Sequence, residues 1–341
     1  MKAISFDAPQ QISLIDSPLP ESPGPGEVKV AVHRVGICGT DVSCYLGKFP
    51  FFSFPRTPGH ELGVEVLECG EGVENIQVGD RCSVEPYLNN PDSYSSQIGR
   101  PNCCDDLRVI GVHMNGGMCE QFNLPGHKLH KSDTLSFDQL ALVETLAIGY
   151  HAVERGNVQK GENVLIIGSG PIGLAALEFV RVRGGRPIVL DLNADRLAFC
   201  HEQMNVADTV LVEIDGSEIE KIKDMTEGNL CQVVIDATGN NLSMSNALEY
   251  VAFGGRLVYV GITSGKISFL HPLMHRREMT LIASRNAHAA DFDEIIKLME
   301  NGAVNTDPWI THRTTMENLA DDFPRFLDPK SGVLKAMIGI T

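Results

Sequence analysis

The run NVLIIGSGPIGLAALEFVRVRGG, residues 163–185, opens as an apolar strand and then sets glycines at 168, 170 and 173 ahead of a helical-period segment. Strand, G-x-G-x-x-G and helix in that order mark a dinucleotide-binding βαβ unit, whereas the glycine spacing alone would be only a tight turn. In such a unit Gly168 makes the turn, Gly170 lets a pyrophosphate approach the backbone, and Gly173 permits close helix–sheet packing, while the helix N-terminus draws in the anionic phosphates. Pro171 and Ile172 complete the loop. Asp191 ends the next apolar run, RPIVLDL, eighteen residues past Gly173. A carboxylate there hydrogen-bonds the adenosine ribose and repels a 2′-phosphate, which predicts NAD over NADP. Arg196 reads as packing on the adenine face, with accommodation of a 2′-phosphate as its alternative.

Five further runs, RPIVLDL, DTVLVE, CQVVIDATG, RLVYVG and TLIASR, follow at helix-separated intervals, so an α/β fold with a six-stranded, parallel, doubly wound sheet is expected. Thr238 and Gly261 sit at the ends of the fourth and fifth strands, where such a sheet binds its ligand, and join the expected cofactor set. Upstream, VKVAVHRVGI and ELGVEVLEC alternate with Gly/Pro turns and read as a compact β domain. Downstream, DFDEIIKLMENG reads as a helix with Asp291 or Asp293 near its cap and Gly302 past its end.

Composition narrows the function classes. A chain of 341 residues with 43% hydrophobic residues builds real cores, and a net charge of −16 argues against nucleic acid or an anionic membrane surface as partner. No apolar h-region follows the first lysine and no window of 18 apolar residues occurs, so neither an export signal nor a membrane span is expected, and the expected compartment is the cytoplasm. Nine scattered cysteines suit metal binding or core packing in a reducing compartment better than a disulfide framework.

In the β domain, Cys38 of GICGTDVS and His60 of FPRTPGHELGVEV lie twenty-two residues apart, each beside a glycine. Glu61 and Glu144 supply candidate carboxylates. Taken singly, each residue is more often a core thiol or a hydrogen-bonded side chain. Together, one thiolate, one imidazole and one carboxylate leave a tetrahedral position open, the composition of a catalytic rather than a structural zinc.

GICGTD, PGHE, VETLAIGYHA and the glycine-rich run together resemble the zinc-dependent medium-chain dehydrogenase/reductase superfamily, in its sorbitol dehydrogenase-like polyol and sugar branch. FFSFPRTPGHE, NCCDDLRVIGVHMNGG, VIDATGN and ASRNA look most like members acting on sugar acids of the L-galactonate type. The resemblance implies a GroES-like catalytic domain over 1–150 that takes back 287–341, with a Rossmann domain at 151–286. It implies Cys38 and His60 as zinc ligands and Glu144 at the third-ligand position, with Glu61 able to coordinate or exchange; which glutamate binds directly stays open. Asp41 matches a carboxylate that orients a ligating histidine. Thr145 departs from the usual proline. Thr40 matches the first member of a proton relay, and Ser43 stands where its terminal histidine is common, on the substrate side. Lys335 matches a residue reaching the cofactor pyrophosphate, or else is a surface lysine. Arg285, after the sixth strand, matches an arginine beside the substrate, where a guanidinium grips a carboxylate or diol; His275, Arg276 and Arg277 are possible helpers.

The implied activity is reversible, NAD-linked oxidation of a secondary alcohol of a sugar acid or polyol, with one zinc per chain and a homodimer or homotetramer paired through Rossmann edges. A general alcohol or polyol dehydrogenase is the alternative. A dinucleotide-binding protein without turnover is a remote one, since zinc-free relatives lack the Cys-His-Glu set. Relatives with a second, structural zinc carry C-x2-C-x2-C-x7-C in a lobe near residue 100. Laid back from Cys104, that spacing falls on Ser96, Ser93 and Asn90, so the lobe is expected to be zinc-free.

Overall fold

All six expected parallel strands form. Counted along the chain they are Asn163–Ile167, Arg186–Asp191, Asp208–Leu211, Cys231–Asp236, Val251–Tyr259 and Thr280–Ala283, arranged 3-2-1-4-5-6 in one sheet. Val164 to Ile166, Ile188 to Leu190 and Val233 to Ile235 are buried without alternation, as strands covered on both faces require. The fifth strand starts ahead of the expected RLVYVG run, and its pairing slips between Cys231 and Val233, opposite Gly254 and Gly255. With every strand parallel, the order of succession reverses beside Asn163–Ile167, so a crevice opens at its carboxyl end, where Gly168 follows.

The computed structural model describes residues 1–213 and 215–340. The chain divides into two compact units, Met1–Glu144 with His288–Thr341, and Thr145–Ala287. Sequence reading set the divisions after 150 and 286; here the first falls inside the Phe137–Gly156 helix. In the first unit, Glu27–Gly36 alternates buried and half-buried residues, and its Val28, Val30 and Val32 meet Leu62, Val64 and Val66 of Glu61–Cys69 in one apolar core. Lys335–Gly339 pairs antiparallel with the same strand, Met337 opposite Gly36, which stitches the late segment into the early sheet. The Ala289–Glu300 helix starts where expected, Asp291 Oδ2 accepting from the His288 amide at 2.9 Å.

All nine cysteines are free thiols. Burial pushes Cys82, Cys119 and Cys231 up to about 12, which keeps them protonated and unreactive. Among the described residues, no helix is long and apolar enough to cross a membrane.

Candidate metal centre and dinucleotide loop

Strand register brings the metal candidates together. Gly36 pairs with Glu61 and Val35 with Leu62, so Cys38, two residues beyond one strand, and His60, one residue before the other, emerge at the same end of the sheet. Gly36 is needed there for space, since a β-carbon on it would stand 2.0 Å from the Glu61 carboxylate. Cys38 caps the Gly39–Tyr45 helix, its sulfur accepting from the Thr40 amide at 3.4 Å. Asp41, buried one turn on, accepts from the Cys38 amide at 2.9 Å and lies 3.7 Å from His60 Nδ1. Asp41 thus holds the Cys38 backbone by a hydrogen bond and faces the His60 ring at ion-pair distance.

Among the described residues, the ligand atoms of Cys38, His60 and Glu61 lie within 4.8 Å of one another. Both glutamates are buried and differently held. Lys335 donates to both Glu61 oxygens at 2.7 Å, whereas Glu144 accepts from the Tyr87 hydroxyl. Burial pulls the His60 imidazole down, but Asp41 and Cys38 push it up further, leaving it well above its ordinary value. Burial likewise raises Asp41 and Glu144. The surroundings therefore favour positive charge at this point, the condition a divalent cation meets, and a thiol, an imidazole and a carboxylate within this span fit zinc with one position open.

In the second unit, Gly168 has φ +92°, the left-handed region that favours glycine, and Gly170 caps the Pro171–Val182 helix with Pro171 in its first turn. A β-carbon on Gly173 would stand 1.8 Å from the Gly168 carbonyl oxygen, so only glycine fits. Ile172 sits half-buried in the first turn of that helix. Thr238 donates from its amide and hydroxyl to Asp236 Oδ1, and the Gly261 amide reaches the Asp236 carbonyl, which fixes the ends of the fourth and fifth strands.

Residues 24–134 match the family model of the alcohol dehydrogenase GroES-like domain, and residues 171–301 that of the zinc-binding dehydrogenases. The chain is 34% identical over 317 residues to L-galactonate-5-dehydrogenase of Escherichia coli K12, covering 93% of this chain and 92% of that protein. The chain belongs to the zinc-dependent medium-chain dehydrogenases. Within them it falls in the sorbitol dehydrogenase-like branch, at 32% identity over 341 residues to sorbitol dehydrogenase of Ovis aries, 97% of this chain and 94% of that one. An alcohol dehydrogenase of Escherichia coli CFT073, rspB, solved with NADH, matches with a TM-score of 0.91 at 27% identity over 99% of both chains.

Two positions of this NAD-dependent zinc dehydrogenase, Lys335 and Arg277, differ from their sequence reading. Lys335 is no surface lysine: it is 2% exposed, and besides Glu61 its ammonium donates to the Ile37 carbonyl, so its N–H groups are committed within the catalytic unit. Arg277 spends its guanidinium on the carbonyls of Leu248, Glu249 and Val251, bracing a turn, which removes it as a substrate helper. Arg285 is exposed just beyond Thr280–Ala283. Thr40 and Ser43 are half-buried on the helix that Cys38 caps. Sequence reading missed Tyr87, whose only signal was an aromatic residue opening an otherwise polar stretch.

In the lobe, hydrogen bonds link the positions laid out by the C-x2-C-x2-C-x7-C spacing. The Asn90 amide donates to Cys104 Sγ at 3.4 Å, the Ser93 hydroxyl to Ser96 Oγ at 2.9 Å, and Asn89 Nδ2 to Ser96 Oγ at 3.0 Å. Cys104, Asp105 and Asp106 also group closely, but they are consecutive residues, two of them exposed, and the Cys104 thiol donates to Asp106.

Proposed function

We propose that the enzyme oxidises a secondary hydroxyl of a sugar acid of the L-galactonate type with NAD, and that it does so in the cytoplasm as a homodimer or homotetramer. The single observation that carries the substrate is the 34% identity, over nearly the whole chain, to a dehydrogenase named for L-galactonate. Cys38, His60 and Glu61 hold the zinc, Glu144 stands by as the exchanging carboxylate, and Asp41 fixes the imidazole. When bound, the metal lends Lewis acidity to the substrate hydroxyl and NAD accepts the hydride. Thr40 takes the departing proton, and Ser43 or Glu144 passes it on, in place of the histidine common in relatives. Gly168, Gly170, Pro171, Ile172 and Gly173 seat the pyrophosphate, Asp191 meets the adenosine ribose, Arg196 lies on the adenine side, and Thr238 and Gly261 border the nicotinamide end. The lobe at 85–106 carries no zinc.

Arg285 binds the substrate carboxylate. The net charge of −16 repels an aldonate at long range, so a local guanidinium has to overcome it within a Debye length, roughly 8–10 Å at physiological salt. Arg285→Ala is expected to lower kcat/KM for L-galactonate by about 2–5 kcal/mol, the cost of leaving a bound carboxylate unpaired, and for sorbitol by much less. Steady-state kinetics on aldonates and polyols decide the matter. Equal losses on both substrate types, or faster wild-type turnover of sorbitol than of any aldonate, would establish the neutral-polyol reading that the ovine relative favours.

A further inference from the structure

The carboxylate of Asp191 is pinned from two sides. Oδ2 accepts both from the Ser169 amide and from the Ser169 hydroxyl, each at 2.6 Å, and Oδ1 accepts from the Asn193 amide at 2.8 Å. Ser169 is 1% exposed, so its bonds are shielded from water, and its hydroxyl also contacts the buried Cys200 thiol. Of the four or so lone-pair positions a carboxylate offers, three are taken, and the one left lies on Oδ1. A ribose hydroxyl can donate to it. A 2′-phosphate has no proton to give there and meets a negative group that cannot swing aside.

We propose that Ser169, the residue between the first two glycines of the loop, is a specificity-determining positioning residue: its hydroxyl locks the Asp191 carboxylate in the orientation that rejects NADP. The proposal rests on the reading that Asp191 meets the adenosine ribose. The lock matters more for exclusion than for attraction. NAD needs one acceptor, which a mobile carboxylate also supplies, whereas the repulsion of a 2′-phosphate is relieved as soon as the carboxylate can rotate. A cation to receive that phosphate is already close: Arg196 Nη1 lies 3.3 Å from where a β-carbon on Gly170 would stand. Serine suits the place by size as well, since its hydroxyl spans the short gap from loop to strand end that alanine would leave open.

The test is direct binding of NADH and NADPH, by nucleotide fluorescence, to the zinc-loaded wild type, Ser169→Ala, Asp191→Ala and the double variant. Ser169→Ala is expected to lower the ratio of the NADPH Kd to the NADH Kd by about 3- to 10-fold, mostly through tighter NADPH binding. Asp191→Ala should lower it by roughly 100-fold, and adding Ser169→Ala to that background should change nothing more. Ser169→Thr, which keeps the hydroxyl, should retain the wild-type ratio; Ser169→Gly repeats the deletion if the alanine variant is unstable. If Ser169→Ala weakens both nucleotides equally or leaves the ratio unmoved while Asp191→Ala shifts it, Ser169 merely braces the loop and the proposal fails. An unchanged ratio in Asp191→Ala would sink the ribose reading itself, and the lock with it.

Discussion

Around Cys38, His60 and Glu61, recognition is built from buried ionisable side chains contributed by distant segments, each held by another charge or hydrogen bond: Asp41 beside His60, Lys335 on Glu61, Tyr87 on Glu144. Around Gly168 to Gly173 it is built from backbone, with the absence of side chains doing the work and a single carboxylate, Asp191, held by short-range donors. The first kind of site is stable only when its charges balance, because buried ions without partners cost several kcal/mol each. The second is stable whenever the chain can follow the turn. The two should therefore fail differently, one through charge and the other through volume.

Cys38→Ser gives the largest effect. Turnover should fall by at least about a thousandfold and metal content from one zinc per chain to near none, while NADH binding stays within about twofold of wild type. Elemental analysis and nucleotide titration on the same sample check both halves; parallel loss of metal and nucleotide would erase the distinction between the two sites, and a second zinc per wild-type chain would overturn the zinc-free lobe.

Gly173→Ala is the reciprocal experiment. Its β-carbon would meet the Gly168 oxygen at 1.8 Å, so the helix must move away from the loop, at a cost of about 2–4 kcal/mol in unfolding free energy and most of the NADH affinity. Zinc content should be unchanged.

The smallest effect concerns Glu178, a buried carboxyl on the Pro171–Val182 helix, which burial raises to about 7 against the opposing pull of Arg181. Its folded pKa lies above its ordinary value, so the folded chain holds the extra proton between about 4.5 and 7, and the cost of the charged form grows as pH rises through that window. Glu178→Gln should be more stable than wild type at pH 8, by on the order of 2–3 kcal/mol, with the advantage vanishing near pH 4.5. Urea unfolding across that range tests it, and a constant difference at all pH values would show that Glu178 does not titrate there.

The loop was legible because its signal is local: three glycines, the strand before them and the helix after are all set by neighbours in sequence. The parallel strands were mostly legible for the same reason, as short apolar runs, and the fifth was read short because Gly254, Gly255 and Arg256 interrupt it. The metal cluster was not local. Cys38 and His60 meet only through the register of two strands, and residue types suggested zinc without saying which glutamate would stand nearer. Lys335 misled because a lysine on a late strand usually faces water; its one warning was the unbroken apolar sequence AMIGI directly after it. Ser169 was invisible as a functional residue, since serine in that loop position looks like filler until its distance to Asp191 is known.

The bond between Lys335 and Glu61 joins residues 274 positions apart. During synthesis, the segment Thr145–Ala287 is complete before the strand Lys335–Gly339 has been made, and domains tend to fold as units as they emerge. The nucleotide-binding half can thus mature early, while Cys38, His60 and Glu61 sit in a sheet that stays unfinished, and without its balancing cation, until Lys335 is made. A chain interrupted before Lys335 would therefore carry the whole nucleotide loop but leave the buried Glu61 carboxylate without the ammonium that balances it.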